Sequence, residues 1–159
     1  MAISDDDLAR LGRCVELARE ALEGGDEPFG SLLVDDAGRT LFEDRNRVKD
    51  GDRTRHPEFA IARWAAANLT PQERAAATVY TSGEHCPMCA AAHAWVGLGR
   101  IVYAASSEQL TRWLGEWGAP PPPVVSLPIT TIAPDIEVDG PAEQFSEAMK
   151  TLYEAKFKP

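Results

Sequence analysis

Across positions 4–23, Leu8, Leu11, Val15, Ala18 and Leu22 recur at three- and four-residue intervals, which predicts an amphipathic helix capped by Ser4 and stopped by Gly24-Gly25. Asp5, Asp6 and Asp7 suit the positive end of its dipole, and Cys14, beside Val15 on the inner side, reads as a small buried side chain. Two short strand-like runs, 31–35 and 40–44, flank the hairpin turn Asp36-Ala37-Gly38. After a polar, basic loop, Pro57 opens a second helix reaching about Asn68, with Phe59, Ile61, Ala62, Ala65 and Ala66 in helical rhythm. A strand at 77–81, an alanine-rich helix at 87–98, a strand at 100–105 and a helix at 107–117 follow. Ala119 and the prolines at 120–123 fit neither a helix nor a sheet interior and read as a stiff surface connector. Residues 124–132 supply a last strand, with Pro128 marking an edge or bulge. From Pro141 a C-terminal helix carries Phe145, Ala148, Met149, Leu152 and Tyr153 as its apolar stripe. The alternation predicts an α/β domain over 1–159, with a central sheet containing parallel pairs.

Composition narrows the function classes. The 159 residues are 44% hydrophobic, and the 12 Gly and 12 Pro show no triplet period, which excludes a disordered or fibrous chain. No run approaches the ~18 apolar residues of a membrane span, and the acidic N-terminus lacks the basic start of a secretory signal, so a cytoplasmic protein with no membrane partner is expected. Sixteen Lys and Arg against 25 Asp and Glu give a net charge of −9. A polyanion is repelled by such a chain, which favours small substrates over nucleic acid. Three cysteines without an export signal point away from a disulfide framework and toward metal binding or catalysis.

Two segments concentrate chemistry, His56-Pro57-Glu58 and Cys86-Pro87-Met88-Cys89, each placed where the chain enters a helix. A three-residue spacing at a helix start brings both sulfurs to one side, where a single ion takes both. With His56 as third ligand, one imidazole and two thiolates suit Zn²⁺, balance its charge and leave the fourth tetrahedral position open, as catalytic sites do. Glu58, two residues on, lines the same pocket from another side as a proton shuttle and not a ligand. Two blander readings stay open: a cytosolic C-x-x-C redox pair, and a four-ligand structural zinc completed by His85 or His93.

The paired H-x-E and C-x-x-C motifs resemble those of the zinc-dependent cytidine and deoxycytidylate deaminase superfamily, and within it the chain is most similar to the bacterial guanine deaminase and tRNA adenosine deaminase branch. The likeness runs from about Pro28 to Ala105. It implies a three-layer α/β/α fold with a mixed five-stranded sheet whose last two strands are parallel, one Zn²⁺ per subunit on His56, Cys86 and Cys89, and Glu58 as the catalytic carboxylate. It further implies that Phe29 walls the base pocket, that Asn46 hydrogen-bonds the substrate ring, and that Trp95 is the aromatic of the helix after the second cysteine. Glu116 lies where guanine deaminases carry a second acidic residue that holds the base. The tail 153–159 resembles a segment exchanged across a homodimer. Pro57, which has no N–H, replaces a family residue whose amide donates to the substrate, and His85 replaces a proline, which brings it near the ligand. The activity expected is removal of an exocyclic amine as ammonia from a guanine-like, cytosine-like or triazine-like ring. Deamination of tRNA adenosine or of a nucleotide, using Arg45, Arg47, Lys49, Arg53 and Arg55 on phosphate, and a non-catalytic zinc module remain as rivals.

Overall fold

In the computed structural model, which describes residues 2–159, one five-stranded sheet carries helices on both faces. In chain order the elements are α1 (Asp5–Glu23), β1 (Gly30–Val34), β2 (Thr40–Arg45), α2 (Pro57–Asn68), α3 (Pro71–Ala76), β3 (Thr78–Gly83), α4 (Pro87–Trp95), β4 (Ile101–Ala105), α5 (Ser107–Glu116), α6 (Ile129–Ile132), β5 (Val138–Asp139) and α7 (Ser146–Phe157). The sheet order is β2-β1-β3-β4-β5. β1 pairs antiparallel with β2 and β3, and the β3–β4 and β4–β5 pairs are parallel. The three-layer fold and the parallel last pair are thus as expected.

Buried hydrophobics form a core on each face. Leu32, Val34, Tyr80 and Val102 turn toward α1, α5 and α7, where Leu11, Trp113, Met149 and Tyr153 meet them. Leu33 and Val79 turn the other way, toward Ile61, Ala62 and Ala65 of α2. This two-sided burial explains why β1 and β4 are apolar without alternation. Gly30 lets α1 lie directly on β1: a Cβ there would collide with that of Leu17 and sit 2.6 Å from the Cys14 carbonyl oxygen. Cys14 is fully buried, and burial pushes its thiol pKa up, which keeps it unreactive.

The end of the chain departs from expectation. The stretch 124–132 is not a strand: Val124 and Val125 are exposed, Pro128 caps the short α6, and Glu84 Oε2 accepts from the Ile129 N–H at 2.9 Å. The fifth strand is instead Val138–Asp139, held on β4 through the Ile101 N–H to Glu137 carbonyl bond. α3 was not anticipated either, although Thr70 and Glu73 form a full capping box at its start. α4 ends at Trp95, and the C-terminal helix proper begins at Ser146, after a 3₁₀ turn over Glu143–Phe145.

Candidate metal centre and active site

The site lies where two helices begin side by side. His56 is the N-cap of α2 and Cys86 the N-cap of α4, and each is followed by a proline at the first helical position, where a missing N–H costs nothing. Packing of α2 against α4 brings the two starts together. His56 Nδ1 lies 3.5 Å from Cys86 Sγ and 3.5 Å from Cys89 Sγ, and the three atoms lie within 4.8 Å of one another. The hydrogen bond shared with Cys89, together with His56, pulls the Cys86 thiol down to about 4. The same shared bond, with burial, pushes the Cys89 thiol well up. Burial opposes charge on His56, but its contact with Cys86 and the nearby charges of Glu58, Cys86 and Glu27 leave its pKa raised. One imidazole nitrogen and two sulfurs, one already acidic, fit a zinc ion.

Glu58 is buried in the first turn of α2, and that burial raises its pKa, against the lowering pull of His56. Thr81 Oγ1 donates to its Oε1 at 2.8 Å, and Ser31 Oγ donates to Thr81 Oγ1 at 2.9 Å. Ser31 and Thr81 are register partners across β1 and β3, so the sheet itself carries this hydroxyl chain. A basic, buried carboxylate beside a three-ligand metal site can take and return a proton.

The remaining predicted residues divide. Asn46 is buried, and its Oδ1 accepts from both the Glu27 N–H (3.3 Å) and the Val48 N–H (3.1 Å). Two converging donors fix that atom as the oxygen, so the Nδ2 amino group is what Asn46 offers to a ligand. Phe29 stands beside Gly83 at the end of β3, with ring atoms 3.2 Å from where a Cβ would lie, and meets Tyr153 at 5.5 Å and Phe157 at 6.4 Å between ring centroids.

His85 does not face an open pocket. It is buried edge-on against His93, at 5.4 Å, with neither ring nitrogen hydrogen-bonded. His93 Nε2 pairs with the Gly99 carbonyl at 2.7 Å, so neither histidine joins the metal group, against the four-ligand reading. Trp95 is 90% exposed at the end of α4, neither in the core nor in the pocket of its own chain. Glu116 also points to solvent, beside Arg112, because α5 runs straight on to it. Trp113 belongs to the core, 6.1 Å from Tyr153. The C-terminal segment folds back on its own chain through Tyr153 and Phe157.

Sequence reading missed Thr81, Ser31 and Tyr153. The first two were visible as hydroxyls at buried positions of β1 and β3, where a polar side chain needs a partner. Tyr153 read as part of an apolar stripe and as the start of an exchanged tail, not as a residue beside Phe29 and Gly83 of its own chain. It is buried, its hydroxyl lies 2.7 Å from the Cβ position of Gly83, and burial and the Glu58 charge raise its pKa.

Comparison with known proteins gives the same picture. A probable cytosine deaminase of Schizosaccharomyces pombe is 32% identical over 144 residues, covering 85% of this chain and 88% of its own. The guanine deaminase of Bacillus subtilis is 37% identical over 97 residues, 60% of this chain and 62% of its own. The solved guanine deaminase of Nitrosomonas europaea superposes with a TM-score of 0.69 at 24% identity, over 98% of this chain and 86% of that one, which shows the fold. Among the described residues, no helix is long and apolar enough to cross a membrane. The model of the cytidine and deoxycytidylate deaminase zinc-binding region matches residues 4–105, a span that holds His56, Glu58, Cys86 and Cys89, and the chain belongs to that family of hydrolytic deaminases.

Proposed function

We propose that the protein hydrolyses the exocyclic amine of a small, unglycosylated heterocycle of the cytosine or guanine kind, releasing ammonia. The observation that carries this reading is Glu58, buried beside the His56, Cys86 and Cys89 group and held at one oxygen by Thr81. Zinc bound by those three residues supplies a Lewis acid that makes water acidic near neutral pH. Glu58 takes a proton from the attacking water and returns it to the amino nitrogen, while the second proton of that water ends on the ring nitrogen beside the reacting carbon. The oxygen of that water becomes a ring carbonyl and the nitrogen leaves as ammonia, so no oxidant or reductant is needed. Phe29 and Tyr153 present aromatic faces to a planar ring. Pro57 offers no N–H, which leaves the Asn46 amino group as the donor to a ring carbonyl.

Several facts support a small substrate over tRNA. The net charge is −9. In the basic loop Arg45 is paired with Asp26, Arg47 with Asp44, and Lys49 with the Gly24 carbonyl, which occupies three of the five side chains that would meet phosphate. A relative matched over 85% of this chain carries the name probable cytosine deaminase, and related structures hold 8-azaguanine. A cytoplasmic homodimer is part of the same reading, since Trp95 is a large apolar surface for one chain to leave in water.

The test is an ammonia-release screen of the zinc-loaded protein over free bases, nucleosides, nucleotides, amino-triazines and tRNA. Turnover is expected with a free base or triazine. Activity confined to tRNA or nucleotides would overturn the substrate class, and no ammonia from any of them would overturn the function. With the substrate in hand, Thr81→Val is expected to lower kcat about tenfold with little change in KM, because it frees Glu58 without removing it. An unchanged kcat would show that the hydroxyl chain does not position Glu58.

A further inference from the structure

We propose that the Glu27 carboxylate is a specificity-determining group that accepts a ring N–H of the substrate, next to the carbonyl that receives the Asn46 amino group. This rests on the preceding reading that the substrate is a free heterocycle. Three features of the loop between α1 and β1 carry it.

First, Glu27 is fixed beside the pocket and not at large. Its N–H donates to Asn46 Oδ1 at 3.3 Å, its carbonyl accepts from the Phe29 N–H at 2.9 Å, and the residues on either side, Asp26 and Pro28, are buried. The residue therefore shares a wall with the two side chains that would hold the ring. Second, its half-buried carboxylate has neither hydrogen bond nor ion pair among the described residues, although cations are close by. The neighbouring Asp26 takes them: Arg45 Nη1 at 2.7 Å and the Lys49 N–H at 2.9 Å both go to Asp26. An acceptor left unpaired on a pocket wall, next to an acidic residue that is fully satisfied, is the arrangement of a group kept for a ligand. Third, it lies within electrostatic reach of His56 while staying outside the three-ligand group.

The ligand chemistry follows from what the wall offers. Asn46 presents only donors and Glu27 only acceptors, side by side. Their complement on a planar ring is a carbonyl flanked by an N–H, the lactam edge that cytosine and guanine each carry when the ring nitrogen is unsubstituted. A substituent on that nitrogen removes the donor and leaves Glu27 facing an alkyl group, which a half-buried carboxylate tolerates poorly.

Steady-state ammonia release from cytosine and guanine, and from 1-methylcytosine and 1-methylguanine, tests the assignment in the wild type, Glu27→Gln and Glu27→Ala, with melting curves as a check on folding. Glu27→Ala is expected to raise KM for the accepted base about 10- to 100-fold, as for loss of a hydrogen bond to a charged group, with kcat within about threefold. Glu27→Gln, which keeps an acceptor without the charge, is expected to fall between. Discrimination against the methylated base should shrink in Glu27→Ala by the same factor. An unchanged KM in a folded Glu27→Ala, or an equal loss on the methylated base, would sink the assignment while leaving the proposed function standing. A wild type that releases ammonia from neither base would overturn the assignment, and would overturn the proposed function as well if the amino-triazines also fail.

Discussion

Replacing Glu58 by Gln is expected to slow ammonia release by about 10³-fold while the protein folds and binds metal as before. The size follows from the double duty proposed for this carboxylate, which would take a proton from water and deliver it to the leaving nitrogen within a single turnover, so an amide that can do neither loses both steps. Folding should survive because Gln keeps the volume of the side chain and can still accept from Thr81 Oγ1. Burial already raises the Glu58 pKa, which means that the charged form is the one the site disfavours. The neutral amide is therefore expected to melt no lower than the wild type. Metal content, a melting curve and the rate of ammonia production give three independent readings. Turnover within tenfold of wild type, with metal intact, would remove Glu58 from the chemistry.

The largest expected loss of stability lies far from that site, at Asp7. Its carboxylate accepts from the Ser4 N–H (2.9 Å), the Tyr80 hydroxyl (2.7 Å) and two nitrogens of Arg100 (both 3.1 Å), so one buried side chain caps α1 and ties it to β3 and to the start of β4. Asp7→Ala should cost about 3 kcal/mol, at the lower end for breaking a buried pair, since Asp139 still holds Arg100 at 2.8 Å. For a chain of this size that lowers Tm by roughly 10 °C. These partners hold the Asp7 pKa below its ordinary 3.8, although burial works the other way. The stabilisation is accordingly complete above about pH 4 and is lost as the pH falls through the depressed folded value. Acid denaturation should start at a higher pH in proteins that lose the Arg100 partner. A melting point within 2 °C of wild type would show that the network contributes little.

What the sequence disclosed, and what it withheld, follows from the range of the interactions involved. α1 and α2 were readable because capping and periodicity are local: Ser4 with its capping box and Pro57 at the first helical position set their starts within a residue. The metal group was readable because two short motifs at helix starts need only a helix pair to meet. The stretch 124–132 misled because its valines and isoleucines have the composition of a strand, whereas a strand also needs a free sheet edge. β5 won that edge with two residues, Val138 and Asp139. Asp7 read only as a charge at the positive end of a helix dipole, and nothing local reveals that Arg100, 93 positions away, would meet it. Trp95 and Glu116 were placed at the substrate by resemblance alone. The helices that carry them present their last turns to solvent, at least within one chain.

The close contact at Gly30 bears on how the protein works, beyond how it packs. Because α1 rests on the backbone of β1 there, the residues on either side cannot shift without moving a nineteen-residue helix. Those residues are Phe29, the proposed wall of the pocket, and Ser31, the first hydroxyl in the chain to Glu58. The proposed aromatic wall and the Glu58 carboxylate are therefore set in register by the same rigid joint. Their alignment is met once, as the chain folds, and not again at each turnover, so the reaction proceeds in an environment already oriented for it.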